Sequence, residues 1–383
     1  MKAKDDECCN CLLRLNADIS LKDNMNRNVL HYCSKWSDCI CAEIIRRNSK
    51  LLYQKDKENK TPIMILAEGE NANCVRVMLK HDETLKYVDK DKGTTLLHIA
   101  ARHGCLATCQ IIMDTDSLLS KMQDSSFKDM TPILVAAFYH QEHVITFLLN
   151  HTDVDLKVTD NDMNTILHYC ARNLLSEVCS EILQMDNSSV NAKNNDGETP
   201  LLNAMLSMIE RNIDVWCWLH RSFNFSSNKP SEPREKVHCA SLFNDIIRLF
   251  ISNGAELLNK AKNGNNILHF VAEQCHFEDD PSIISDILKT LPQLLNELNF
   301  CKRTPIIIAA MTGHVNIVVT LLREGAEVIY KDSCGLTVLD YCLSLDSRRF
   351  DKEYLTVIFQ EDRTLMTMFL SKVYTMWASN MLR

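Results

Sequence analysis

Glycine and proline are scarce in this chain, nine and eight residues among 383, so flexible linkers must be few. An excess of basic charge is missing too. The net charge is −8, whereas a nucleic-acid binder normally advertises a basic face. No apolar leader follows the charged start Met1-Lys2-Ala3-Lys4-Asp5-Asp6-Glu7. The most membrane-like stretch, Pro305 to Leu322, is interrupted by Gly313, His314 and Asn316, which excludes it as a span. A glycine-rich phosphate loop, a metalloprotease motif and a prominent pair of catalytic carboxylates are likewise lacking, so no residue set points to an enzyme and no cofactor is implied.

What is present is a repeat. A Thr or Asn, any residue, a Leu or Ile and then small residues recur nine times, anchored at Asn28, Thr61, Thr95, Thr131, Thr165, Thr199, Asn266, Thr304 and Thr337. The gaps are 33, 34, 36, 34, 34, 67, 38 and 33 residues, the period of a solenoid. Two columns support the register. Leu30, Ile63, Leu97, Ile133, Leu167, Leu201, Leu268, Ile306 and Leu339 stand two residues after the anchors. Cys33, Leu66, Ala100, Ala136, Cys170, Ala204, Val271, Ala309 and Cys342 stand five after them. The 46% hydrophobic content excludes a largely disordered chain, and in an array the core grows along one dimension.

The best-formed unit reads Thr304-Pro305-Ile306-Ile307-Ile308-Ala309-Ala310, then Gly313-His314-Val315-Asn316-Ile317-Val318, Leu321-Leu322 and Gly325-Ala326-Glu327-Val328. It resembles the ankyrin repeat, with its Thr-Pro-Leu-His opening. The resemblance implies an all-α solenoid of about nine helix-turn-helix units joined by hairpin loops. Thr suits the N-cap, Pro the first helical position, and Gly313 and Gly325 the left-handed turns. Repeats one, three, five and seven carry His31, His98, His168 and His269. Repeats two, four, six and eight carry Pro62, Pro132, Pro200 and Pro305 instead. Periodic histidines are structural, each ring bonded to neighbouring loop backbone.

The 17 cysteines, an odd number, suggest free thiols in a reducing compartment, hence a cytoplasmic protein. Cys8, Cys9, Cys11, His31, Cys33, Cys39 and Cys41 crowd the first unit, but their spacing fits no common zinc motif. His31 and Cys33 fill repeat columns, and Cys41 aligns with Cys109 and Cys179, so no metal site is expected.

Three places break the register. Residues 1–27 read as the second helix and hairpin of a repeat without its first helix, either a degenerate cap or a sign that the chain is part of a longer protein. The 67-residue gap places an insertion at about 210–240 inside repeat six, between a first helix at Leu201 to Ile209 and a second at Leu242 to Phe250. Its aromatics, Trp216, Trp218, Phe223 and Phe225, either fold back on the repeats or anchor a partner. Residues 346–383 read as C-terminal helices, the last-repeat helix and a capping helix on Leu365, Met366, Phe369, Leu370, Val373, Trp377 and Met381, or a basic helix that docks on a partner.

The array spans residues 28–345 and predicts a non-enzymatic scaffold that binds one or more proteins along its concave surface. Candidate contacts are the hairpin residues Lys57, Asp91, Lys128, Asp162 and Asn195, with the insertion aromatics. Leu97 to Ala137, with Thr108-Cys109-Gln110, Leu118-Leu119 and Met130-Thr131-Pro132-Ile133, also resembles the cytosolic ankyrin region of TRPA-type cation channels. That resemblance implies an alternative, the cytosolic part of a membrane-anchored channel subunit.

Overall fold

The structure is a computed structural model that describes residues 2–35, 37–69, 72–151, 154–211, 234–274, 282–344 and 367. It divides into two compact bodies, residues 1–178 with 194–196, and 179–193 with 197–383. Both are built from helix pairs, with a single two-stranded hairpin, Tyr87–Asp89 against Thr94–Thr95, among the described residues.

In the first body the inner helices Pro62–Ala67, Leu96–His103, Pro132–Phe138 and Ile166–Arg172 stack in sequence. The outer helices Asp38–Arg47, Ala72–His81, Leu106–Thr115 and Glu142–His151 form a second row. Repeat one is tighter: its inner element, Val29–Lys35, is a 3-10 helix. The helix Lys2–Arg14 lies on the outer row, where Arg47 Nη1 donates to the Leu13 carbonyl at 2.6 Å. In the second body Pro200–Arg211, Ile267–Glu273, Pro305–Thr312 and Val338–Ser344 are inner helices. Arg234–Ser252, Ser282–Thr290 and Val315–Arg323 are outer ones.

The two sequence columns are the core of both bodies. All nine Leu and Ile residues two after the anchors are at most 5% exposed, and all nine residues five after them at most 3%. Each buried Leu or Ile stabilises the array by about 1.5–3 kcal/mol. Burial pushes up the thiols of Cys109, Cys170 and Cys342, the last to about 12, so they pack as small hydrophobes.

Of the 210–240 stretch assigned to an insertion, residues 210–211 close the inner helix of repeat six and 234–240 open its outer helix, upstream of Leu242. Residues 212–233, with Trp216, Trp218, Phe223 and Phe225, lie outside the described residues, as do 346–366 and 368–383. No helix among the described residues is long and apolar enough to cross a membrane.

Candidate protein-binding surface

The hairpins that join the repeats are organised by two columns absent from the sequence reading. Two residues before every anchor the backbone is left-handed: Asn26, Asn59, Gly93, Asp129, Met163, Gly197, Gly264, Lys302 and Gly335 all have φ between 52° and 81°. Five residues before most anchors stands an Asp or Asn whose side-chain oxygen accepts the loop's own N–H groups. Asp56 takes those of Glu58 and Lys60, Asp160 those of Asp162 and Asn164, and Asp332 those of Cys334 and Leu336. Burial works against the Asp56 carboxylate, but these donors and Arg27 Nε at 3.0 Å hold its pKa below the usual range.

Successive hairpin tips are then linked by main-chain hydrogen bonds. Lys57 N donates to Met25 O at 3.0 Å, Ser125 N to Lys92 O at 2.8 Å, Asn161 N to Lys128 O at 2.9 Å and Asn195 N to Asp162 O at 2.9 Å. The same link recurs in the second body as Phe300 N to Asn263 O and Ser333 N to Cys301 O. A protein partner would therefore meet a pre-ordered row of tips.

All five candidate hairpin residues are exposed on this row. Lys128 Nζ and Asp162 Oδ2 pair at 2.7 Å, and Asn195 Nδ2 donates to Asn161 O at 3.0 Å, so Lys128, Asp162 and Asn195 are neighbours. Lys57 and Asp91 enter through their backbone N–H groups, that of Asp91 bonding Asp89 Oδ1 at 3.1 Å. An exposed pair such as Lys128–Asp162 is worth at most about 1 kcal/mol.

The histidines tie repeats together. Each Nδ1 accepts the N–H of its own anchor, at 3.0 Å for His31, 3.2 Å for His98, 3.1 Å for His168 and 3.3 Å for His269. That leaves Nε2–H as the donor, facing the carbonyl just before the next anchor: Lys60 for His31 at 3.3 Å, Met130 for His98 at 3.1 Å and Arg303 for His269 at 2.9 Å. The forward tie gives the alternation of His and Pro repeats a physical meaning. In repeat two the anchor N–H meets Met64 Sδ at 3.5 Å instead. The Thr131 and Thr304 hydroxyls have no hydrogen-bond partner among the described residues, so at these two anchors Thr serves by its extended backbone and not by its side chain.

The feature of the first body best suited to recognition was not legible as a site. The hairpin before Thr131 is longer by two residues and carries Phe127. Its ring lies 5.5 Å from Phe138 in a T-shaped pair and 5.9 Å from Tyr139 in a stacked one. Phe138 in turn meets Tyr139 at 5.1 Å and Tyr169 of the next repeat at 5.6 Å. The Arg102 guanidinium of the preceding repeat sits 4.8 Å over the Tyr139 ring. Tyr169 is buried, Phe127 and Tyr139 are half-buried, and Phe138 is 39% exposed. The only signal for this platform is the adjacent pair Phe138-Tyr139 at a helix end where repeats three and five have Arg102-His103 and Arg172-Asn173.

Comparison with known proteins agrees with this architecture. The chain matches "Ankyrin repeats (3 copies)" over residues 40–122, 115–194 and 133–229, and "Ankyrin repeats (many copies)" over 287–342. It is 34% identical over 83 residues to a probable serine/threonine-protein kinase of Dictyostelium discoideum, a match covering 21% of this chain and 10% of that protein. It is 25% identical over 235 residues to the phosphocholine transferase AnkX of Legionella pneumophila, covering 56% of this chain and 20% of that protein. The chain thus spans a tenth and a fifth of these two curated relatives. With its repeat register, its buried columns and the family matches in agreement, the chain belongs to the ankyrin-repeat family.

Proposed function

We propose that this chain is a non-enzymatic cytoplasmic adaptor that holds a protein partner against its hairpin tips and inner-helix ends. The observation that carries the reading is the Phe127–Phe138–Tyr139 platform with Arg102 beside it. Large rings of low conformational entropy next to a guanidinium are the side chains that dominate binding energy at protein interfaces. The tips add complementarity through Lys57, Asp91, Lys128, Asp162 and Asn195. Trp216, Trp218, Phe223 and Phe225 are further candidate contacts for the same partner. The kinase and transferase activities in the relatives' names belong to proteins several times longer than the matched stretches.

Affinity capture with cross-linking and mass spectrometry tests the reading on three chains: the wild type, the Phe127→Ala/Phe138→Ala variant and the Trp216→Ala/Trp218→Ala variant. Loss of the cross-linked partner from the first variant, while its circular dichroism still reports a folded helical array, supports the platform. Loss from the second alone moves the surface to residues 210–240. Retention by both variants overturns the aromatic reading.

A further inference from the structure

Arg102 is exposed and forms no ion pair among the described residues. In that it differs from four basic groups of the first body that carboxylates already engage. Lys60 is engaged by Glu68 at 2.8 Å, Lys86 by Asp116 at 2.9 Å, Lys128 by Asp162 and Arg27 by Asp56. Its guanidinium nevertheless lies over the Tyr139 ring, 4.8 Å from the centroid, while Gln141 Nε2 donates to its main-chain carbonyl at 3.3 Å. The guanidinium N–H edge has no hydrogen-bond partner among the described residues. A carboxylate is the group that such an edge takes in two parallel hydrogen bonds.

The open apolar surface lies alongside. Tyr139 is 4.8 Å from Arg102 and 5.1 Å from Phe138, whose ring is the most exposed of the four. Two or three residues of extended chain, at roughly 3.3 Å each, cover that distance. We propose that the platform binds an extended segment of a partner protein in which an Asp or Glu lies two or three residues from a large apolar side chain. The carboxylate pairs with Arg102, and the apolar side chain covers Phe138 and Phe127. The inference rests on the adaptor reading and narrows it to one class of peptide. The net charge of −8 opposes an acidic segment at long range, so affinity has to be local. Recognition must come from this one local cation and the rings beside it.

Fluorescence polarisation on the full chain tests this with labelled Gly/Ser peptides holding Glu and Phe two positions apart, and with counterparts in which Glu is replaced by Gln or Lys, or Phe by Ala. The Glu–Phe probe should bind at least about fivefold tighter than its Gln and Ala counterparts, the range expected for one charge-assisted pair and one buried ring. Arg102→Glu should shift the preference to the Lys–Phe probe while the chain stays folded, with only a small fall in melting temperature from the lost contact with Tyr139. Equal affinity for Glu and Gln probes, an unchanged preference in Arg102→Glu, or no binding of any probe overturns the inference. Equal binding of Glu and Gln probes that is lost in Phe138→Ala would leave the platform as the adaptor's surface and remove only its acidic specificity. Partner loss in the capture experiment tests the adaptor reading independently.

Discussion

The phenol of Tyr341 donates to Asp332 Oδ2 at 2.6 Å, and the same pair recurs as Tyr169–Asp160 and Tyr32–Asp23, both at 2.5 Å. In each case the Tyr lies four residues after an anchor and the Asp five before it, so one bond closes the hairpin onto its own inner helix. Asp332 is also reached by Arg303 Nε at 3.4 Å, from the residue just before the preceding anchor. That second contact has its own series: Arg27–Asp56, Thr94–Asp124, Asn164–Asn194 and Asn265–Asn299 join the residue before one anchor to the loop Asp or Asn of the next repeat.

Tyr341→Phe therefore removes one hydrogen bond and should cost about 1 kcal/mol. Asp332→Ala strips the partners from two N–H groups, a phenol and a guanidinium, and should cost about 2–4 kcal/mol. Urea unfolding of the two variants checks the order. A smaller loss for Asp332→Ala than for Tyr341→Phe would show that the loop column does not organise the hairpin.

Lys302 occupies the left-handed column with φ 57°, a conformation that costs an L side chain about 1–2 kcal/mol and glycine almost nothing. Lys302→Gly should stabilise the chain by about 0.5–1 kcal/mol, the remainder being offset by the greater freedom of glycine in the unfolded state. Gly197→Ala should do the reverse by about 1 kcal/mol. An added Cβ there meets no atom within 4 Å, so the change isolates backbone conformation from crowding. Thermal melts of both variants should move in opposite directions.

Burial pushes the pKa values of His98 and His269 below the ordinary imidazole value of 6.5. The folded state then binds fewer protons than the unfolded chain as the pH drops. Their contribution to stability is complete above 6.5 and is lost as the pH falls through the lower folded values. The melting temperature should decline as the pH falls below about 6.5, and less steeply in His98→Gln. A flat profile in the wild type would contradict this assignment.

The rings of the platform should also be coupled in the free protein. A double-mutant cycle of Phe127→Ala and Phe138→Ala should give an interaction of about 0.5–1.5 kcal/mol, as expected for a T-shaped pair. Additive losses would mean that the longer hairpin holds Phe127 without help from Phe138.

Much of the fold was legible because its signals are local. The anchor, the branched aliphatic and the small residue each do their work within one turn of helix, so Leu97 and Ala100 are read correctly without knowing what they touch. The hairpin columns were legible in principle, as Asp56 and Asn59 or Asn194 and Gly197 are ordinary turn residues. They escaped because Asp129, Met163 and Lys302 break the Gly/Asn pattern. The candidate contacts divided in the same way. Lys128, Asp162 and Asn195 lie together on the tips, while Trp216, Trp218, Phe223 and Phe225 are outside the described residues.

By itself, then, the sequence determined the repeat, the family and the buried columns, since a period of 33–38 residues leaves each unit only its neighbours to pack against. Only the tertiary structure decided which polar and aromatic residues meet. Arg102 and Tyr139 are 37 positions apart, and Phe127 reaches Phe138 because its hairpin is two residues longer than most. Such contacts depend on how one repeat's loop falls across the next repeat's helix, and no local pattern of residues encodes that.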